Sequence, residues 1–334
     1  MRDVYILGIE SSCDETSASI VKNGTEEIST VISSQIDIHK NFGGVVPEIA
    51  SRQHVQNITI VLEECMKKAN MTMDNIDAIA ITYGPGLIGS LLIGLEAAKT
   101  LAFIHNKPLI PVHHIAGHIY ANSLVKELEF PLLALVVSGG HTELIKMNDH
   151  YQFEKLGGTL DDAIGECYDK VARVIGLEYP GGPKIDKLAK LGSHTYKLPI
   201  PLKDDSYNFS FSGLKSAVIN LAHNEKQKGK EINKEDLAAS FQDVATDSII
   251  IKTKKALEDK HLNHLIVAGG VAANQALKEK IERLGKELNI DVSIPPLSYC
   301  TDNATMIASA GYYAYKLGRR ADYYLNSTSS AKLN

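Results

Sequence analysis

At 334 residues the chain is long enough for about two domains, and 44% hydrophobic with 22% charged residues makes a folded globular protein the expectation rather than disorder. A formal net charge of -5 excludes a generally basic nucleic-acid coat, although not a local basic track. The four cysteines (Cys13, Cys65, Cys167, Cys300) are scattered without a CxxC pair, which excludes a disulfide framework and a zinc knuckle as first readings and favours reduced thiols in the cytoplasm.

In chain order, VYILGIE predicts a strand, SSCDET a tight polar turn and SASIV a second strand. Residues 4–9 are too few for a signal sequence, and the apolar stretch 87–104 is interrupted by Glu96 and Lys99, so no membrane span is expected. Residues 76–82 read as a buried strand, followed by the glycine turn GPGLIG, a helix through Ala97, Ala98 and Leu101, and a strand in NKPLIPV. The same plan returns later. LLALVVSGGHTELIKM is strand, small-residue turn and strand; LNHLIVA is a strand, GGVAAN a turn, then come a helix through Leu277, Ile281 and Leu284 and a strand in NIDVSIP. The expected architecture is therefore a duplicated, two-lobed α/β fold with a ligand cleft between equivalent turns. The lobes are placed at residues 1–125 and 126–334, with a closing helix at about 305–317 that could pack back on the first lobe. The charged stretches 225–230 and 252–260 read as solvated surface, and the small polar tail from Asn326 as frayed.

The segments just after the paired strands differ chemically between the halves. HIAGH places His114 and His118 at i and i+4, one face of a helix and metal-ligand spacing, although two helix histidines can equally be surface or cap residues. The Glu after the first His that a zinc protease of the HExxH type needs is missing. Asp302 follows the corresponding strand of the other half and supplies a candidate third ligand; His113 points off the shared face and reads either as a support behind the ligands or as structural. The turns SGGH (138–141) and AGGVAAN (268–274) let backbone approach an anion closely, with Asn274 as a side-chain partner, or are simply tight turns. Asp162, Glu166 and Asp169, with Asp186 beyond the rigid YPGGP loop, fit ribose hydroxyls or a cation; otherwise the first three are an acidic helix face. Asp14 and Glu15 in the first turn are candidates to hold a metal-bound water or to serve as a general base.

Together GIESSCDETSASIV, HKNFGGVVPEIASRQH, GPGLIGSLLIG, HHIAGHIYAN, VVSGGHTEL, YPGGP, FSFSGLKSA, VAGGVAAN and CTDNATMIA resemble, in order and from about residue 6 to 310, the universal TsaD family, formerly called Gcp, in its bacterial branch. The resemblance implies the actin/Hsp70/sugar-kinase fold. It also implies transfer of a threonylcarbamoyl group from threonylcarbamoyl-AMP to N6 of the adenosine beside the anticodon (position 37) in tRNAs reading ANN codons, with release of AMP. By the same resemblance His114, His118 and Asp302 hold one divalent metal, iron(II) before zinc or magnesium. Val136, Val137, Ser138, Gly139, Gly140, Asp169, Gly182, Asp186 and Asn274 bind substrate, and Asp14 and Glu15 are the catalytic acids. A TsaB-like pseudo-kinase subunit and a TsaE-like ATPase are the implied partners. In one departure, Gly158 stands where the family commonly has Glu. The competing readings are a metal-dependent glycopeptidase, a small-molecule kinase of the same fold and a non-catalytic nucleotide-binding scaffold.

Overall fold

The apolar run YILGIE forms β1 (Tyr5–Glu10), buried along nearly its whole length because helices cover both faces of its sheet. It pairs antiparallel with β2 (Glu15–Lys22), and β2 with β3 (Glu26–Ser34). The turn between β2 and β3 uses Asn23 and Gly24, both at positive φ, and the Asn23 carboxamide oxygen accepts from the Val4 N–H. After the short α1 (Ile36–His39), Pro47 opens the long helix α2 (Pro47–Ala69), a position where the missing N–H costs nothing. Then β4 (Ala78–Gly84), α3 (Ile88–Ile104), β5 (Leu109–His113) and α4 (His114–Tyr120) complete the first half. β4 runs parallel to β1 and β5 parallel to β4, giving the order β3-β2-β1-β4-β5. Ile58, Val61 and Cys65 of α2 and Leu95 and Ala98 of α3 build a core with Leu7, Ile9, Ile20, Ile79 and Ile81 of the sheet.

The plan then repeats. β6 (Leu132–Val137), β7 (Thr142–Met147) and β8 (Phe153–Gly158) form a second antiparallel meander. Helices α5 (Ile164–Val174), α6 (Gly181–Ala189), α7 (Ser212–Gln227) and α8 (Lys234–Lys260) precede β9 (His264–Ala268), which is parallel to β6. α9 (Gln275–Leu288) leads to β10 (Asp291–Ser293), parallel to β9, so the order is β10-β9-β6-β7-β8. In each sheet a meander's first strand is flanked on its other side by two parallel strands. This is the duplicated α/β fold expected from the sequence.

The computed structural model describes residues 2–333. It contains two units. The first is the chain up to Leu128, His150–Gln152 and everything from Ser298; the second is Glu129–Asp149 and Phe153–Leu297. After α10 (Leu297–Cys300), the last helix α11 (Ala304–Lys316) packs on β1, β2, β4 and α4 of the first unit. Its contact face is small because the strands lie close. A Cβ on Gly8 would collide with the Ala304 carbonyl and stand 2.7 Å from the Ala308 N, and one on Gly311 would collide with Ala80. Asn303 caps α11 by accepting from the Met306 N–H at 2.9 Å.

Two surface expectations change. The tail is held rather than frayed: the Thr328 N–H donates to the Tyr83 carbonyl at 3.0 Å, and His113 Nε2 to the Ala331 carbonyl at 3.1 Å. Lys252, at the head of the second charged stretch, is buried, and its ammonium donates to the carbonyls of Asp204 and Ser206 at 2.7 Å and to the Asp204 carboxylate. Among the described residues, no helix is long and apolar enough to cross a membrane.

Candidate functional site

Two groups of candidate residues stand out, one in each unit. In the first unit, β5 ends in His113, which serves as the N-cap of α4. Its Nδ1 accepts from the Ile115 N–H at 3.1 Å while Nε2 donates to Ala331, and burial pushes its pKa down to about 4, so it is neutral and structural. One turn of α4 then puts His114 and His118 on one face, with ring centroids 4.7 Å apart and planes at 83°. Asp302, in the turn that the Asn303 cap fixes, brings Oδ1 to 3.1 Å from His118 Nε2 and 3.6 Å from His114 Nε2. One ligand atom from each residue lies within 4.8 Å of the others.

His118 provides the test of fit. Both its ring nitrogens are buried without a hydrogen bond, although Nε2 is near Asp302, and a buried imidazole left so is costly. A cation beside the three residues would satisfy one of the two nitrogens. Two imidazole nitrogens and one carboxylate oxygen suit a divalent transition metal and do not select which one.

Glu10 carries no signal in the sequence as a functional residue beyond being a carboxylate that closes an otherwise apolar strand. It ends β1 fully buried, and its carboxylate accepts from Thr82 Oγ1 at 2.7 Å, the Ser12 N–H at 2.5 Å and His114 Nδ1 at 3.2 Å. The bond to Nδ1 leaves Nε2 of His114 as the ligand nitrogen, the usual arrangement behind a metal-bound histidine. Burial opposes charge on both partners, but Asp302 and Glu10 outweigh it and raise His114 to about 9, while His114 holds Glu10 below the ordinary carboxylate range.

Asp14 and Glu15 lie in the β1–β2 turn and at the start of β2. The Asp14 carbonyl accepts from the Gln35 N–H at 3.0 Å, and Glu15 Oε1 accepts from Ser34 Oγ at 3.1 Å. Burial, and then the neighbouring Asp14 and Asp302 charges, push Glu15 up to about 10.

In the second unit a cavity of about 330 Å³ is lined by Gly139, Asp169, Gly182, Asp186 and Asn274 among the expected residues, and by Tyr168 and Val271 among others. Asp169 Oδ1 accepts from the Gly181 N–H at 2.7 Å, which ties the YPGG loop to α5; burial raises its pKa, partly offset by the Gly181 and Gly182 N–H groups. Asp186 accepts from Gln242 Nε2 at 3.1 Å. The remaining expected residues do not line the cavity. Val136 and Val137 are wholly buried in β6, Ser138 Oγ accepts from the His141 N–H at 3.1 Å, and Gly140 is exposed beyond the rim. The strand end matters through its backbone. Gly269, at φ +92°, lets the second glycine turn pass with its Cβ position 2.5 Å from the Val137 carbonyl, where no side chain fits.

Two of the other acids have structural work. Asp161 accepts from Ser210 Oγ and from the Phe211 and Ser212 N–H groups, anchoring the FSFSG segment. Asp162 pairs with Lys170 and Lys215, each at 2.7 Å, so 162, 166 and 169 are not one ligand-binding row. At Gly158 a side chain would meet the flexible end of Lys155, which pairs with Glu143, and the Glu143 Cγ at an ordinary 3.5 Å, so glycine there leaves the strand undisturbed.

The family model described as TsaD, tRNA N6-adenosine threonylcarbamoyltransferase, matches residues 26–309. The protein of that name from Bacillus cereus is 60% identical over 328 residues, 98% of this chain and 96% of its own. Those from Bacillus subtilis (strain 168) and Staphylococcus carnosus are 58% identical over 334 and 330 residues, covering 99% and 98% of this chain and 96% of each relative. Among solved structures, full-length HypF in its phosphate- and nucleotide-bound form superimposes with a TM-score of 0.64 at 16% identity, over 94% of this chain and 46% of HypF. Component A of Acidaminococcus fermentans (R)-2-hydroxyglutaryl-CoA dehydratase gives 0.53 at 17%, over 94% and 98%. At such identities these likenesses establish a shared fold and no more. With a family match over most of its length and relatives near 60% identity end to end, the chain belongs to the TsaD family of tRNA N6-adenosine threonylcarbamoyltransferases.

Proposed function

We propose that the chain transfers the threonylcarbamoyl group of threonylcarbamoyl-AMP to N6 of adenosine 37 in tRNAs reading ANN codons, releasing AMP. Identity near 60% across almost the whole of both chains to proteins of that name carries the reading. The lining of the cavity supports it. Its small backbone turns admit a phosphate, and Asp169 and Asp186 accept from ribose hydroxyls, as carboxylates do in dinucleotide sites. Asn274 faces the adenine edge.

In the transfer, the N6 lone pair attacks the carbamoyl carbonyl carbon, the bond from that carbon to the phosphate oxygen breaks, AMP leaves and the N6 proton passes to a base. His114, His118 and Asp302 would hold a divalent ion, iron(II) by our reading and zinc or magnesium as alternatives, which would supply Lewis acidity when bound. An exocyclic adenine amine is a weak nucleophile, so alignment and proton removal must supply much of the rate. We assign the proton to Asp14, or to Glu15 where a bound cation keeps its carboxylate ionised.

A chain of net charge -5 needs local cations or partner subunits to hold tRNA, and a TsaB-like subunit and a TsaE-like ATPase fit that need. Two short basic stretches, 226–230 and 316–320, are candidate tracks; the first is exposed, whereas Arg319 and Arg320 of the second stack over Tyr151 and Tyr315 at 4.5 and 4.0 Å. No specific observation favours the peptidase, kinase or scaffold readings. Nucleoside mass spectrometry of tRNA from a depleted strain should show threonylcarbamoyladenosine restored by this chain and not by His114→Ala. Unchanged nucleoside levels with the wild-type chain would overturn the function, and full restoration by His114→Ala would overturn the metal role.

A further inference from the structure

Gln242 belongs to none of the motifs above. It lies on α8, 5% exposed, behind the wall of the second-unit cavity. Its Nε2 donates to Asp186 Oδ1 at 3.1 Å; its Oε1 accepts from Asn274 Nδ2 at 2.8 Å and from the Tyr168 hydroxyl at 3.4 Å. Asn274 is oriented in its turn by the first turn of α9, where its Oδ1 accepts from the Leu277 N–H at 2.9 Å.

These bonds run in one direction. A backbone N–H can only donate, so Asn274 must turn its oxygen to Leu277 and its NH2 to Gln242. Gln242 then presents its oxygen to Asn274 and its NH2 to Asp186, which as a carboxylate can only accept. Both amides are thus set at both ends, with no freedom to flip. What remains for a ligand is narrowed: Oδ2 of Asp186, from which the Lys190 ammonium is 3.8 Å away, and the Asn274 NH2 hydrogen not given to Gln242, which the Tyr168 hydroxyl also contacts. A methionine of similar volume would fill the same gap in α8 without the desolvation cost of a buried amide.

We propose that Gln242 is a positioning residue for substrate, fixing which atoms Asp186 and Asn274 present to the nucleoside of the adenylate. It rests on the assignment of the cavity to the adenylate made above. Calorimetric titration of the full-length chain with AMP tests it, on wild type, Gln242→Met, Gln242→Glu, Asp186→Asn and the double variant Gln242→Met/Asp186→Asn, with melting temperature measured on each and KM for threonylcarbamoyl-AMP alongside.

Loss of the hydrogen bonds that orient Asp186 and Asn274 predicts a dissociation constant and KM raised about tenfold in Gln242→Met, with kcat much less affected. The penalty shrinks on the Asp186→Asn background, because part of the effect of Gln242 travels through Asp186. Gln242→Glu, which keeps the acceptor and loses the donor, weakens AMP as well, and carries the comparison if the methionine variant fails to fold. Unchanged AMP affinity in Gln242→Met and Gln242→Glu, or fully additive losses in the double variant, overturns the role of Gln242 alone. Absence of AMP binding by the wild-type chain overturns the assignment of the cavity, and this inference with it.

Discussion

His114, His118 and Asp302 come together because one helical turn and one capped turn each place their side chains within a fixed radius, and the two meet in one unit. The residue that completes this arrangement is Glu10, whose acceptor oxygen selects the His114 nitrogen left for a ligand. Gln in its place keeps the size but can present its NH2 to Nδ1 instead. Glu10→Gln is expected to weaken metal binding about 10- to 100-fold, read as the dissociation constant in a chelator competition, with the fold intact by circular dichroism. Affinity equal to wild type would remove Glu10 from the site.

Glu15 gives a pH signature of the metal-free chain. Its carboxyl is pushed up to about 10 by burial and by the Asp14 and Asp302 charges, against an ordinary value of 4.5. Between these two values the folded chain keeps a proton that the unfolded chain has lost, so stability falls as pH rises through that window. Glu15→Gln removes the ionisation. Its melting temperature should exceed that of wild type at pH 8, and the gain should vanish toward pH 4; a gain independent of pH would place the cause elsewhere. A cation held by the three ligands draws Glu15 back toward ionisation, so the difference should narrow on metal loading.

At the scale of elements, the helix following Asp302 is seated by what its strands lack. Gly8 in β1 allows the backbone of α11 to approach at Ala304 and Ala308, and the contacting atoms are main chain, which cannot swing aside. Gly8→Ala should therefore destabilise the fold by about 1–3 kcal/mol in denaturant titration, and weaken metal retention with it because Asp302 leads directly into α11. A neutral substitution would show that α11 can shift without cost. The elements differ in how plainly the sequence announces them. β1, β6 and β9 are legible as short apolar runs between turn residues, and α4 as the one place where i, i+4 histidines share a face. Helix α2 is not, since its stripe of Ala50, His54, Ile58, Val61 and Cys65 mixes polar and apolar side chains. α8 hides Gln242 and Lys252 for the same reason: a buried polar side chain reads as surface until its partners are known.

At the scale of the whole chain, local patterns by themselves determined the strand–turn–helix order, its repetition, and the residue types able to hold a metal or approach a phosphate, since each depends on neighbours within a few residues. The family resemblance added the ligand positions. Only the tertiary structure decided which of those positions converge. It grouped Gly139, Asp169, Gly182, Asp186 and Asn274 around one cavity and left Val136 and Val137 inside their strand, because side chains alternate across a sheet and both faces here are covered. It turned the polar tail into a partner of β4 and His113, Asp161 into an anchor of a loop, and Asp162 into an ion-pair partner of α5 and α7. These contacts join residues tens to hundreds of positions apart, and no local pattern encodes them. A buried polar atom is satisfied by whatever the folded chain brings to it, and that partner exists only once the sheets and helices have packed.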